Sequence, residues 1–74
     1  MPKLPVLTPR DVIRLLEKRG FVLDRTKGSH HIYLHPDTKL RVVVPVHRHD
    51  LPQGTLISIL KQAGIDREEL EGML

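Results

Sequence analysis

The sequence KGSHHIY at residues 27–33 decides how the middle of this chain folds. Gly28 allows the backbone to turn with a positive φ at no steric cost, and the residues after it alternate between the two sides of an extended strand. The stretch therefore predicts a hairpin turn at Lys27–Gly28, followed by a strand over Ser29–His35.

Alternation divides this strand into two faces. His30 shares one face with Ile32 and Leu34, which we expect to face the core, so His30 is predicted to be partly buried at the edge of the sheet. The opposite face, which we expect to be open, holds His31, Tyr33 and His35. An exposed Tyr33 is able to stack on a base, although half-burial against its neighbours is the more common outcome.

Two more strands are predicted beside this one. Residues 21–26 predict a first strand over Phe21–Thr26. Phe21, Leu23 and Arg25 are expected on one face of it, and Val22, Asp24 and Thr26 on the other. Pro36–Lys39 has the composition of a turn, and Leu40–Val46 predicts a third strand. The side chains of Leu40, Val42 and Val44 are expected on one side of that strand.

The sequence before these strands predicts a helix. Thr8 is a suitable N-cap, Pro9 suits the first helical position and Asp11 places a carboxylate in the first turn. We expect the helix to run from Pro9 to Arg19 and to end at Gly20. Its apolar stripe consists of Val12, Ile13, Leu15 and Leu16. Residues 2–7, with two prolines, are expected to form an extended arm.

The sequence after the strands predicts two further helices. Residues 47–54 lead into a helix that ends at Gly64, and Asp66 begins a short terminal helix. Their apolar residues are Leu56, Ile57, Ile59, Leu60 and Ala63 in the first helix and Leu70, Met73 and Leu74 in the second. The predicted fold is α+β: one domain over residues 1–74, with a three-stranded antiparallel sheet, two helices on one face and a short C-terminal helix.

Composition limits the classes of function. A chain of 74 residues buries a small core, and with one Tyr, one Phe and no Trp it is poorly suited to enclose a bulky apolar ligand. There is no cysteine, which excludes disulfides and thiolate chemistry. Without a long apolar segment, the chain is expected to be soluble and cytoplasmic, with no membrane partner.

Positive charge is concentrated in the middle of the chain. Residues 24–49 contain five Lys or Arg and all five histidines but only two carboxylates, whereas acidic residues gather near the C-terminus. Such a distribution suits a polyanion such as RNA, but an ordinary solvated surface explains it equally well.

These residues suit the cleavage of RNA. The ribose 2′-hydroxyl is a built-in nucleophile, so the reaction needs a proton-transfer group and positive charge rather than a cofactor. His30 is the candidate acid or base, although a hydrogen-bonded core histidine is an equally weighted interpretation. Candidate phosphate contacts are Lys27, Gly28, Ser29, Arg41, His47 and Arg48. No metal site is predicted, because adjacent histidines in a strand point to opposite faces and no cysteine is present.

The chain resembles the HicA toxins of bacterial and archaeal toxin–antitoxin modules. The resemblance rests on residues 27–33, on VPVH at 44–47 and on GTLISILKQAGI at 54–65, after a helix that ends in a Gly-Phe pair. It extends from about Thr8 to Ile65, so the acidic C-terminal segment lies outside it.

The resemblance implies a fold and a function. The fold is that of a double-stranded RNA-binding domain, α-β-β-β-α. The function is that of an endoribonuclease, an mRNA interferase of a type II module, with His30 as the catalytic histidine, RNA as substrate and a HicB-type antitoxin as protein partner. Two alternatives are a double-stranded RNA-binding module without activity and a small interaction protein without a nucleic-acid role.

Overall fold

A computed structural model describes residues 4–74. Its elements are helix α1 (Pro9–Lys18), strands β1 (Val22–Lys27), β2 (His30–Leu34) and β3 (Arg41–Pro45), and helices α2 (Gln53–Ala63) and α3 (Arg67–Met73). The strands form one antiparallel sheet in the order β1-β2-β3. The predicted α+β fold, like that of a double-stranded RNA-binding domain, is confirmed.

Helices α1 and α3 begin with the same reciprocal cap. The Thr8 hydroxyl accepts a hydrogen bond from the Asp11 N–H at 3.1 Å, and the Asp11 carboxylate accepts one from the Thr8 N–H at 3.0 Å. The backbone N–H of Thr8 is the main cause that holds the pKa of Asp11 below its usual value. Asp66 and Glu69 repeat the arrangement at α3. Both helix starts were predicted from these residues.

The core lies on one face of the sheet, beneath α1 and α2. Val42 and Val44 of β3 are completely buried, and Tyr33 of β2 is 4% exposed. Val42 lies directly opposite Tyr33, and Val44 lies opposite His31. Side chains of directly opposed residues share a face, so Tyr33 and His31 are on the core side.

The predicted faces of β2 are therefore wrong. His30, Ile32 and Leu34 are on the open side of the sheet, where His30 is exposed rather than partly buried. Alternation defines two faces of a strand but does not state which one is buried. Here the register with β3 decides it, because the buried Val42 and Val44 oppose the other set of β2 residues.

Three residues of the predicted apolar sets are exposed. Leu40 is 39% exposed and precedes β3, Ile57 is 38% exposed on the outer side of α2, and Leu74 is 64% exposed at the end of the chain. The N-terminal arm, by contrast, contributes buried residues that were not expected in the core. Leu4 and Leu7 are buried, and the Leu7 carbonyl accepts a hydrogen bond from the Leu51 N–H at 2.8 Å. Residues 2 and 3 of the predicted arm lie outside the described residues.

His35, expected on an open face, joins α1 to the turn after β2. Its Nδ1 accepts hydrogen bonds from the N–H groups of Asp37 and Thr38 at 3.2 and 3.3 Å. Nε2 must then carry the proton of the neutral ring, which it donates to the Arg19 carbonyl at 2.9 Å. The ring also meets Phe21 edge to face, with centroids 5.1 Å apart. His35 therefore has a structural role.

Within residues 4–74, no helix has both the length and the hydropathy needed to span a bilayer.

Tyr33 provides a test of the core. Burial of its phenol, and secondarily the negative charge of Glu17, raises the pKa of Tyr33 above its ordinary value of 10. Tyr33 is the only tyrosine and the chain has no tryptophan, so ultraviolet absorbance reports its ionisation directly. We expect the folded chain to ionise above pH 10 and the urea-unfolded chain at about 10.

The stability contribution of neutral Tyr33 is therefore complete below about pH 10 and is lost as the pH rises through the raised pKa of the folded state. Glu17→Gln is expected to lower the pKa of Tyr33 slightly. Ionisation of the folded chain at the same pH as the unfolded chain would contradict the burial of this ring.

Gly20 tests the contact between α1 and His35. Gly20 has a φ of +94°, and a Cβ added there would lie 3.0 Å from Nε2 of His35. We expect Gly20→Ala to lower the free energy of unfolding by about 1–3 kcal/mol, measured by urea denaturation. The control is Gly54→Ala in the first turn of α2, where an added Cβ meets nothing within 4 Å. That change should be neutral or stabilising by up to about 1 kcal/mol, and an equal loss in both variants would refute the explanation.

Candidate functional site

The hairpin between β1 and β2 positions the candidate residues. Lys27 and His30 lie directly opposite each other, with the two-residue turn of Gly28 and Ser29 between them. Gly28 has a φ of +60°, a conformation that glycine adopts without strain. The Ser29 carbonyl accepts a hydrogen bond from the Val46 N–H at 2.7 Å, which joins the turn to the segment after β3.

The imidazole of His30 is accessible. His30 is exposed at the first position of β2, between Lys27 on one side and Pro45 on the other. Within residues 4–74, no hydrogen bond or ion pair involves its ring. The ring is therefore free to exchange a proton with a molecule that reaches this side of the sheet.

The side of the sheet that carries His30, here called the open face, also carries three cations. Its side chains are placed by register: Lys27 opposes His30, Arg25 opposes Ile32, and Arg41 opposes Leu34. Asp24 is the carboxylate near them, with Oδ2 at 3.3 Å from Nε of Arg25 and 3.8 Å from Nη1 of Arg41. Both pairs are largely exposed, so they hold the arginines weakly.

Arg25 reaches the open face because β1 contains an irregularity. Leu23 opposes Tyr33 on the core side, but Arg25 opposes Ile32 on the open side, with the shift in register between them. Strict alternation had placed Leu23 and Arg25 on the same face. No residue type in β1 signals this bulge, so sequence reasoning missed Arg25.

Arg41 lies away from His30. Its partner Leu34 is four residues along β2 from His30, a separation of about 13 Å at the usual rise of a strand. Arg41 is therefore separate from the pair that Lys27 and His30 form at the hairpin. The cations form a track along the open face rather than one cluster.

His47 and Arg48 line a different depression. Together with Arg10, Ile13, His31 and Val46 they border a groove of about 730 Å³, here called the His31 groove, between the start of α1 and the segment after β3. The candidate residues are therefore divided between two surfaces. Arg10 was not predicted because it belongs to a helix distant in sequence, and His31 because its face was assigned incorrectly.

Metal ligation was tested on the same residues. Within residues 4–74, no three His, Cys, Asp or Glu side chains are arranged so that they could hold a metal ion.

The sequence of the chain matches a known protein family. Residues 9–65 match the family model described as HicA toxin of bacterial toxin–antitoxin. The chain belongs to the HicA toxin family. No match was found among curated proteins. The matched residues include the whole sheet, α1 and α2, whereas α3 lies outside them.

This family membership identifies the chain as a toxin of the toxin–antitoxin type. Leu70 of α3 is completely buried and Glu69 forms an ion pair with Arg19, so α3 packs on the domain. His30 and the cations of the open face lie inside the matched part of the chain.

Proposed function

We propose that this HicA toxin is an endoribonuclease whose acid–base residue is His30. The observation that supports the proposal most directly is the exposed imidazole of His30, which within residues 4–74 has no hydrogen-bond partner, on a residue directly opposite Lys27 in the sheet. The pairing places an imidazole, the side chain most often used in general acid–base catalysis, opposite a lysine. It lies in a chain whose family consists of toxins.

The reaction would use the substrate's own nucleophile. The ribose 2′-hydroxyl attacks the adjacent phosphorus as its proton passes to a base, and the bond to the 5′-oxygen breaks as that oxygen receives a proton. His30 would serve in one of these proton transfers. Lys27 and the N–H groups of the Gly28–Ser29 turn would stabilise the negative charge that develops on the phosphorane oxygens.

The open face would hold the RNA on either side of the reacting phosphate. Arg25 and Arg41 extend positive charge along the sheet away from His30. Ile32 and Leu34 are half-buried between these cations and offer apolar surface to bases. The surface suits an extended RNA strand that crosses the sheet.

We also propose that a HicB-type antitoxin covers the open face. Val22 is 53% exposed and Val43 is 36% exposed on that face, where they lie beside the cations. An acidic partner with an apolar centre would bury these residues and block access to His30 at the same time.

Substitution of His30 tests the proposed role. We expect His30→Ala to reduce cleavage of single-stranded RNA by about 10²–10⁴-fold, the usual contribution of one acid–base group, and to abolish growth arrest on expression. The fold should be unchanged by circular dichroism, because His30 is exposed and makes no contact with the core. The matched control is His49→Ala, another exposed histidine, which should retain activity.

Cleavage by His30→Ala at the rate of the unchanged chain would disprove the assignment. A shifted RNA band without fragments, for the unchanged chain itself, would instead identify a binding module that does not cut.

The chemistry of the products gives a second test. If the 2′-hydroxyl is the nucleophile, the fragments should end in a 2′,3′-cyclic phosphate or in its hydrolysis product, as identified by mass spectrometry. Activity should persist in EDTA, and RNA with 2′-O-methyl groups and plain DNA should not be cut. Loss of activity on chelation, or cleavage of DNA, would indicate a metal-dependent nuclease.

A further inference from the structure

The His31 groove is a second basic surface, on the side of the sheet opposite the open face. Four of its side chains carry or can carry positive charge: Arg10, His31, His47 and Arg48. Its remaining lining is Thr8 and the apolar residues Pro9, Ile13 and Val46, and no carboxylate contributes to it. The groove therefore combines apolar surface with hydrogen-bond donors that are positively charged or can become so.

These donors form no hydrogen bond or ion pair with the protein within residues 4–74. Within residues 4–74, no carboxylate lies within ion-pair distance of Arg10 or Arg48, and no hydrogen bond reaches the half-buried ring of His31. In His47, Nδ1 accepts from the His49 N–H at 3.3 Å, so Nε2 of the neutral ring carries the proton and remains a free donor.

The nearby start of α1 does not explain the groove. The N–H groups of Thr8 and Asp11 are already satisfied by the reciprocal cap, and the Asp11 carboxylate is part of that cap. Any anion in the groove would therefore be held by the side chains of Arg10, His31, His47 and Arg48.

We propose that the His31 groove is a second nucleotide-binding subsite for the RNA that is cleaved at His30. Arg10, His47 and Arg48 would bind the phosphate, and the base would lie against Ile13 and Val46. The inference rests on the proposed function, because the nucleotide belongs to the same RNA strand. A nucleotide fits better than an acidic peptide because a planar base uses the apolar part of the groove.

The position of the groove also defines the class of RNA. His30 and His31 are consecutive residues on opposite faces, so the two sites are separated by the thickness of the sheet at one end of β2. The Ser29–Val46 hydrogen bond closes that end of the sheet. An RNA strand that occupies both sites must turn around it, which a single strand can do and a duplex cannot. The substrate is therefore single-stranded at the site of cleavage.

The experiment is a titration of the full chain with uridine 3′-monophosphate, followed by NMR of the five histidine rings. Each ring is assigned by a single His→Gln variant. We expect the signals of His31 and His47 to shift together with one dissociation constant. Shifts confined to His30 would overturn the proposal. A parallel titration uses hexaglutamate. If hexaglutamate shifts the His31 signal and the nucleotide does not bind, the proposal is also overturned, because the groove would then take an acidic protein segment.

Paired charge variants test the donors. Arg10→Gln with Arg48→Gln should weaken nucleotide binding about tenfold or more, because it removes charge-assisted hydrogen bonds. The control, Lys18→Gln with Lys61→Gln, removes the same charge from exposed positions outside the groove and should weaken binding by less than about threefold. An equal loss in both double variants would overturn the proposal, since it would show attraction by net charge alone.

The two proposals fail separately. The groove titration is repeated with His30→Ala, in which the His31 and His47 signals should still shift. If His30→Ala cuts RNA normally, the proposed catalytic role fails while the titration result stands. If His30→Ala is inactive but the unchanged chain shows no shift of His31, the subsite fails while the catalytic role stands.

Discussion

The packing of Tyr33 against Val42 determines the rest of this structure. Tyr33 is the only tyrosine and one of two aromatic residues, and it is buried directly opposite a valine that is completely inaccessible. An aromatic side chain contributes roughly 150–250 Å² of buried surface, a large share of what so small a core provides. Because neighbours in a strand point to opposite sides, burial of Tyr33 fixes the position of every other β2 side chain.

The same constraint places the core and the exposed charged side chains on opposite faces of the sheet. The core of the sheet is built on one side from β2 and β3, while His30 and the cations Lys27, Arg25 and Arg41 extend from the other. A charged side chain on the open face pays little desolvation cost, and its removal leaves no cavity. The chain can therefore carry an exposed imidazole on the open face without loss of core packing.

The two basic surfaces meet at the end of the sheet where β2 begins. The hydrogen bond from the Val46 N–H to the Ser29 carbonyl keeps the hairpin turn beside the segment that carries His47 and Arg48. Consecutive residues His30 and His31 then face the two surfaces from one short piece of backbone. A pair of histidines that looks redundant in the sequence thus becomes two groups with separate surroundings.

The sequence alone determined the element order, the caps at Thr8 and Asp66 and the turns, because these depend on neighbouring residues and on backbone sterics. A turn at residues 36–39 also aligns Tyr33 with Val42, so the sequence already implied that these two side chains share a face. Only the tertiary structure decided which face of β2 is buried, where the bulge in β1 places Arg25, and that Arg10 joins His31, His47 and Arg48 in one groove. These features depend on register and packing between segments distant in sequence, which no local pattern specifies.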